Sequence, residues 1–260
     1  MDFNGETLAR LLSEKLIGRR VHFFREVDST NDVAFKLALK GATEGTVVVA
    51  DAQMKGKGRL GRVWQSPAGC NLYTSIIIRP SLEPARASQI TLMAGVAVAE
   101  LLSLYCSEVA LKWPNDIQIG GKKVAGILTE MRASGEGIDF IIVGIGINVN
   151  MRRGESAAAI RDISTSLKEE GGVDIPRVDL TVKLYDSFAS WYARYMREGF
   201  DPIREAWLKY NTEARHVQVT SGDELQKGEV VGIDGYGALL LLDENKIVRR
   251  IIAGDVSIIN

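Results

Sequence analysis

Residues 53–64 contain the densest group of side chains that could do chemistry, and they read Gln-Met-Lys-Gly-Lys-Gly-Arg-Leu-Gly-Arg-Val-Trp. Four cations and three glycines fall within residues 55–62, with no acid among them. Such a loop can fold its amides and guanidinium groups around a polyanion, although a charge run is more commonly a solvated surface. The glycines fit Gly-x-Gly-x-x-Gly, but a strand rather than a helix follows, which excludes the dinucleotide motif. No Walker sequence occurs, so a nucleotide would bind without a P-loop.

Two further segments combine cations with tight turns. Residues 112–116 read Lys-Trp-Pro-Asn-Asp, and the turn would project a cation, an amide and a carboxylate from the end of a strand. An ordinary hairpin accounts for the turn but not for Lys112. Residues 120–128 read Gly-Gly-Lys-Lys-Val-Ala-Gly-Ile-Leu. Taken alone this is a glycine turn, but the small Gly126 in the strand would also permit close approach of a ligand.

A fourth segment, residues 28–32, reads Asp-Ser-Thr-Asn-Asp and precedes a predicted helix. Ser29 or Thr30 would cap that helix. Hydroxyl and amide groups at a helix N-terminus can also bind a neutral polar group such as a ureido ring. Both roles can coexist.

Together, and in this order along the chain, the four segments resemble the biotin-protein ligase family. The resemblance is specific over residues 23–150, looser through the helical part that follows, and carried near the C-terminus by Ala-Gly-Asp-Val-Ser at residues 253–257. It implies an enzyme that activates biotin with ATP, forming biotinyl-5′-AMP. The biotin would then pass to a lysine of a biotin carboxyl carrier protein.

The resemblance also implies roles for individual residues. Those expected to bind biotin are Ser29, Thr30, Asn31, Gln53, Lys57, Gly58, Arg59, Lys123 and Gly126. Those expected to bind ATP are Arg59, Arg62, Trp64, Lys112, Asn115, Asp116 and Asn148, with the indole over adenine and the cations on the phosphates. The residues expected to act in catalysis are Arg59, Lys112, Lys123 and Asp116, and Asp116 is also expected to help place a magnesium ion.

The chain departs from the family pattern in two places. The family's basic loop often reads Gly-Arg-Gly-Arg-Arg-Gly-Arg, whereas Lys57 and Leu60 stand at two of those arginine positions. Neither change removes Arg59 or Arg62. Only about twenty residues precede the first predicted strand, too few for the winged helix-turn-helix of some members, so we expect no DNA binding.

The chemistry explains why these residue types are needed. Attack of the biotin carboxylate on the α-phosphate brings two anions together, and fixed cations offset their repulsion. A glycine-rich loop that closes over the adenylate would protect it from water. Asp116 is one candidate for the general base of the transfer step, but magnesium placement uses it equally well. A lipoate-type carrier ligase and a DNA-binding biotin sensor remain as alternative functions.

An α+β fold must position these residues. Helical spacing predicts helices over residues 6–16, 30–39, 85–105, 179–197 and 202–210, the last begun by Asp201 as cap. Apolar runs between turn signals predict strands over residues 46–50, 72–78, 109–113, 117–119, 124–131 and 140–149. From about Thr212 the strands become short and alternating. We expect a mixed central sheet flanked by helices over residues 1–211, as in class II synthetase-like biotin ligases, and a small SH3-like β-barrel over residues 212–260.

Composition bounds the remaining properties. A net charge of -1 provides no general attraction to nucleic acid or anionic membrane. Two cysteines and two histidines form neither a disulfide framework nor a zinc motif. The N-terminus has no secretory signal, and residues 90–104 are too short to span a bilayer, which predicts a buried helix. We expect a cytoplasmic protein, and the resemblance allows a homodimer.

Overall fold

The computed structural model describes residues 1–135, 137–155, 157–211, 216–222 and 224–258. The α-helices are α1 (Gly5–Leu12), α2 (Thr30–Leu39), α3 (Ala87–Leu102), α4 (Leu167–Gly171), α5 (Arg177–Glu198) and α6 (Asp201–Tyr210). The strands are β1 (Arg20–Val27), β2 (Thr46–Gln53), β3 (Leu72–Ile78), β4 (Val109–Lys112), β5 (Asp116–Ile119), β6 (Lys122–Ser134), β7 (Gly137–Ile147), β8 (His216–Ser221), β9 (Glu224–Ile233), β10 (Leu239–Leu242), β11 (Val248–Ile251) and β12 (Asp255–Ile258).

The central sheet is mixed and has the order β1-β2-β3-β7-β6-β5-β4. Strands β1 and β2 are parallel, and the other neighbouring pairs are antiparallel. Because successive strand residues point to opposite faces, Val47 and Val49 pack in the larger apolar core while Val48 packs in a second cluster with Ala34 of α2. The sheet is therefore covered on both faces, and the predicted mixed sheet flanked by helices is confirmed.

Helix α3 is the most apolar long segment of the chain. Together with the turn before it, residues Pro84–Leu102 are long and apolar enough to cross a membrane, yet most of this stretch is buried inside the fold. The helix packs against α5 and the sheet. The predicted buried helix is thus confirmed, as the core helix of a soluble fold.

The C-terminal strands form an antiparallel sheet in the order β11-β10-β9-β8-β12. The turn between β9 and β10 docks on the larger part of the molecule, where Trp113 Nε1 donates to Gly237 O at 3.0 Å and Gln89 Nε2 donates to Gly235 O at 2.6 Å. The predicted boundary between residues 211 and 212 adjoins residues 212–215, which lie outside the described part of the chain.

Several local predictions need correction. Helix α1 ends at Leu12 and does not continue to Leu16. Leu16 is 58% exposed, so little of its side chain packs against the core. The cap of α6 is Phe200, because Asp201 already lies in the first turn. Helix α4, which was not predicted, is capped by Ser166, whose hydroxyl accepts from Glu169 N at 3.2 Å. This five-residue helix is too short to show a periodic apolar pattern.

Candidate active site

A cleft of about 550 Å³ lies where the four sequence segments meet the C-terminal strand β12. Every residue for which the sequence predicted a role lines it: Ser29, Thr30, Asn31, Gln53, Lys57, Gly58, Arg59, Arg62, Trp64, Lys112, Asn115, Asp116, Lys123, Gly126 and Asn148. The structure therefore brings the predicted biotin-binding and ATP-binding residues together in one place.

The N-terminus of α2 forms one wall of the cleft. Ser29 is the cap residue by its extended backbone, but its side chain makes no capping hydrogen bond. The backbone N and the hydroxyl of Thr30 both donate to Gln53 Oε1, at 2.8 and 3.1 Å. The predicted cap position at Ser29 is thus confirmed, but its hydroxyl makes no capping bond, and the Thr30 hydroxyl is bonded within the cleft.

A buried chain of hydrogen bonds extends from Thr30 into the sheet. Ser75 Oγ on β3 lies 2.8 Å from Thr30 Oγ1 and 2.6 Å from Asn31 Oδ1, and its single proton is shared between these two acceptors. Asn31 Nδ2 then donates to Glu130 Oε2 at 2.6 Å. On the other side, Gln53 Nε2 donates to Ser66 Oγ at 2.9 Å. Buried polar networks that are fully bonded hold their members in fixed geometry.

Sequence reasoning missed Ser75, Ser66 and Glu130. For Ser75 a signal was present, because a hydroxyl in the middle of a wholly buried strand needs a partner. The network also bears on Asn31, which the sequence predicted as a biotin-binding residue. Its amide fits against Gly144, where any Cβ would overlap it, and its oxygen and nitrogen are taken by protein groups. In the described structure Asn31 therefore organises the cleft wall.

The basic loop is folded back on itself as a short hairpin. Gly58 N donates to Arg62 O at 2.7 Å, and Trp64 N donates to Gly56 O at 2.9 Å. At the tip, Leu60 has a φ of 55° and its side chain is 74% exposed. A non-glycine residue in this conformation is uncommon, so the tip is held by the loop around it.

The cations of the loop are paired with carboxylates. Lys57 Nζ bonds the Asp32 carboxylate, and this hydrogen bond raises the pKa of Lys57 above its ordinary value. Arg62 bonds Asp255 of β12, and Arg59 Nη1 lies 3.7 Å from the other oxygen of the same carboxylate. The loop thus presents cations of fixed position.

Trp64 lies over the sheet. A Cβ added at Gly126 would come 3.1 Å from the indole, and one added at Gly146 would come 2.7 Å from it. Lys123 Nζ stands 5.3 Å from the ring centroid, within cation–π range. The indole Nε1 is buried without a hydrogen-bond partner among the described residues. Such a group is unusual in a folded protein and points to a functional site.

The turn between β4 and β5 brings together the other charged groups. Lys112 and Asp116 lie opposite each other in the register of β4 and β5. The ion pair of Asp116 is with Lys123, whose Nζ lies 2.5 Å from Asp116 Oδ1. Asn115 Nδ2 donates to Ile127 O at 2.7 Å, while its oxygen accepts from Arg59 Nη1 at 3.3 Å. Asn115 therefore connects the basic loop to the sheet.

Asn148 reaches the cleft from the end of β7. Its Nδ2 donates to Thr165 O at 2.9 Å, and Thr165 N donates to Lys123 O at 2.9 Å. Lys123 N also donates to Ile163 O at 2.9 Å. Asn148 thus anchors the segment that fixes the backbone of Lys123.

The cleft residues fit a magnesium ion only if substrate phosphates supply most of its ligands. Within the described ranges, no group of three or more His, Cys, Asp or Glu side chains could hold a metal by itself. Asp116 is one of the cleft carboxylates, and Lys123 already contacts it. Mg²⁺ is commonly bound through one or two carboxylates together with substrate phosphates and water. The donor set suits an ion carried mainly by nucleotide phosphates.

The mixed sheet, the cation loop without a Walker motif and the C-terminal sheet define a ligase of the biotin and lipoate type. The family described as "Biotin/lipoate A/B protein ligase family" matches residues 23–148, and "Biotin protein ligase C terminal domain" matches residues 215–258. The chain belongs to the biotin protein ligase family. The resemblance found in the motifs is confirmed, as is the function of an ATP-dependent biotin–protein ligase.

Individual relatives agree with this assignment. The bifunctional ligase/repressor BirA of Bacillus subtilis is 37% identical over 95% of this chain and 76% of its own length. A biotin–[acetyl-CoA-carboxylase] ligase of Paracoccus denitrificans is 37% identical over 82% of this chain and 90% of its own length. The biotin protein ligase of Aquifex aeolicus, solved in complex with biotin and ATP, superposes with a TM-score of 0.77 at 32% identity, covering 92% of this chain and 98% of that one.

Proposed function

We propose that the cleft carries out two half-reactions, the adenylation of biotin and the transfer of biotin to a carrier lysine. In the first, a biotin carboxylate oxygen bonds to the α-phosphorus of ATP while the bond from that phosphorus to the β-phosphate oxygen breaks. Pyrophosphate leaves, and biotinyl-5′-AMP remains. The observation that carries this proposal is the convergence of Arg59, Arg62, Lys112 and Lys123 on one cleft.

The polar wall suits the biotin head group. Ser29, Thr30 and Gln53 line the cleft, and the Ser75 network holds the Thr30 and Gln53 groups in place. A preformed set of donors and acceptors recognises a neutral ureido ring without reorganisation. We assign the head group to this wall and the carboxylate to the side where Lys123, Gly58 and Arg59 lie.

The cation side suits the nucleotide. Arg59, Arg62 and Lys112 would neutralise phosphate charge as the two anions approach, and Trp64 offers an aromatic face for adenine. Magnesium, held by the phosphates and Asp116, would supply further charge neutralisation. The glycines of the basic loop let it close over the adenylate and exclude water.

In the second half-reaction the neutral carrier amine bonds to the carbonyl carbon of the anhydride, and the bond from that carbon to the AMP oxygen breaks. AMP leaves, and the amine proton passes to solvent or to Asp116. Positioning is the main requirement of this step, because the anhydride is already activated. We assign both steps to residues 1–211 and assign to residues 212–260 the contact with the basic loop described below.

A two-substrate assay tests the proposal. The protein would be incubated with ATP, a mixture of biotin and lipoate, and both carrier domains, and each carrier would be analysed by mass. We expect the biotin adduct on the biotin carboxyl carrier. A lipoyl adduct in its place would assign the chain to the lipoate branch of the same family. The proposal also places the protein in the cytoplasm and includes a homodimer, which sedimentation with and without biotin and ATP would detect.

A further inference from the structure

Asp255 lies between the two arginines of the basic loop. Its Oδ2 bonds Arg62 Nη2, and its Oδ1 lies 3.7 Å from Arg59 Nη1. The Asp255 and Arg59 side chains are only 26% and 25% exposed, whereas Arg62 is 67% exposed. One carboxylate of the C-terminal sheet thus contacts two cations assigned to the nucleotide.

The backbone fixes the position of this carboxylate. Asp255 opens β12 and pairs with Thr220 of β8. The preceding Gly254 has a φ of 152°, and a Cβ there would lie 2.7 Å from a Val219 methyl and 2.9 Å from Thr220 O. Only glycine allows this close approach. Gly254 O also accepts from Arg59 Nη1 at 3.3 Å, so backbone and side chain hold the same guanidinium.

The remaining contacts of Arg59 point the same way. Its Nη1 also donates to Asn115 Oδ1 at 3.3 Å, which places the guanidinium between the sheet and β12. Arg62 lies three residues further along the loop. Among the described residues, Asp255 is its only ion-pair partner. Loss of the Asp255 carboxylate would therefore release Arg62 from β12 and remove one of the contacts of Arg59.

We propose that Asp255 is a positioning residue that latches the basic loop to the C-terminal sheet through Arg59 and Arg62. The latch keeps the loop near its closed position, so that the adenylate is retained until a carrier lysine arrives. This inference rests on the proposed function only for the adenylate. The contacts of Asp255 with Arg59 and Arg62 do not depend on that function.

The latch is tested first without ligand, by trypsin cleavage after Arg59 and Arg62. We expect Asp255→Asn to be cleaved about fivefold faster than wild type, which corresponds to the loss of a modest ion-pair network. Asp255→Glu, which keeps the charge, should return cleavage close to the wild-type rate. Glu244→Gln, which removes an exposed carboxylate from the same domain, serves as the control and should leave it unchanged.

Adenylate retention is measured next, with biotin and ATP but no carrier. After a first burst, steady pyrophosphate release follows the loss of adenylate from the enzyme, and Asp255→Asn should raise this steady rate about fivefold relative to wild type. Asp255→Glu should not. Wild-type loop cleavage in Asp255→Asn, or no rescue by Asp255→Glu, overturns the latch. Absence of pyrophosphate release from the wild type would instead overturn the proposed function, and the cleavage assay would still decide on the latch.

Discussion

The indole of Trp64 lies directly against the backbone of Gly146, so close that a Cβ on that residue would come 2.7 Å from indole Cε2 and Nε1. The contact joins the end of the basic loop to the middle strands of the sheet. Gly126 on β6 borders the same ring, and a Cβ built on it would come 3.1 Å from the indole. The glycines of β6 and β7 therefore form a flat floor for an aromatic ring.

We predict that Gly146→Ala displaces the indole and raises the KM for ATP by about tenfold, since overpacking costs about 1–3 kcal/mol. Initial rates of pyrophosphate release at varied ATP measure this. The matched control is Gly137→Ala on the same strand, where an added Cβ meets nothing within 4 Å. Equal KM values for the two variants would show that the Trp64 contact does not serve ATP.

Lys112→Ala and Lys123→Ala should each slow pyrophosphate release by about 10²–10³-fold, the usual scale for losing a fixed donor from a transition state. Lys123 is held at Asp116 and beneath Trp64, so its charge is positioned before the anions meet. Lys122→Ala provides the comparison, because this neighbour does not line the cleft. If the two cleft variants kept the rate of Lys122→Ala, their catalytic assignment would be wrong.

Ser75→Ala should weaken biotin binding by about tenfold, because a buried polar group left without its partner costs about 1–3 kcal/mol. Ser75 is fully buried and bonds both Thr30 and Asn31. Titration calorimetry with biotin gives the affinity. Ser103→Ala, which removes a hydroxyl bonded to a carbonyl of α3, should bind biotin as the wild type does.

Much of the fold could be predicted from the sequence because the hydrophobic patterns and the turn residues between them indicated the same elements. Strand β3 was predicted with its observed bounds, since a run of mostly β-branched and aromatic residues stands between turn signals. The site residues converge because each motif lies at the end of an element, where polar groups can face a common cleft. Local pattern was enough for the strands, whereas the roles of the site residues followed from the family resemblance of the four motifs.

The site residues that the sequence did not predict depend on contacts between residues distant in the chain. Glu130 joins the site through Asn31, 99 residues away, and Asp255 reaches Arg62 across 193 residues. Nothing in the local spacing of either residue reports such a partner. The cap of α2 was placed correctly at Ser29, but the sequence did not show that the Thr30 N–H and hydroxyl donate to Gln53, 23 residues away.

The turn between β10 and β11 should make the stability of the C-terminal sheet sensitive to acid. The Ile247 backbone N–H, the Arg249 side chain and the Asn245 backbone N–H donate to the Asp243 carboxylate and lower its pKa below the ordinary 3.8. Because the folded pKa is the lower one, the ionised carboxylate stabilises the fold above 3.8, and this contribution is lost as the pH falls through the folded pKa.

Asp243→Asn should therefore lower the Tm at neutral pH, and the difference from wild type should narrow as the pH is brought below 3.8. Thermal melts followed by circular dichroism across this range measure the effect. The adjacent Glu244→Gln should show no such pH-dependent difference. A constant difference between Asp243→Asn and wild type at every pH would mean that the charge of Asp243 is not what stabilises the turn.

Arg59→Gly should separate making the adenylate from keeping it. The Arg59 guanidinium donates to Asn115 Oδ1 and Gly254 O, both at 3.3 Å, so it ties the basic loop to the sheet and to the C-terminal strand at once. Without it Lys112 and Lys123 remain in the cleft to support adenylation, but the loop loses its central attachment. Biotinyl-5′-AMP should then escape and react with lysines of bystander proteins.

Serum albumin, incubated with the variant, biotin and ATP and then probed for biotin, reports this escape. Leu60→Gly is the matched control, because Leu60 is the next residue of the loop, is exposed, and has a φ of 55° that glycine adopts without strain. It adds the same flexible residue while leaving the guanidinium in place, so albumin should stay unlabelled. Labelling by both variants would trace retention to the stiffness of the loop. Labelling by neither would assign it to Arg62 and Trp64, whereas labelling by Arg59→Gly alone identifies the guanidinium as the group that keeps the adenylate bound.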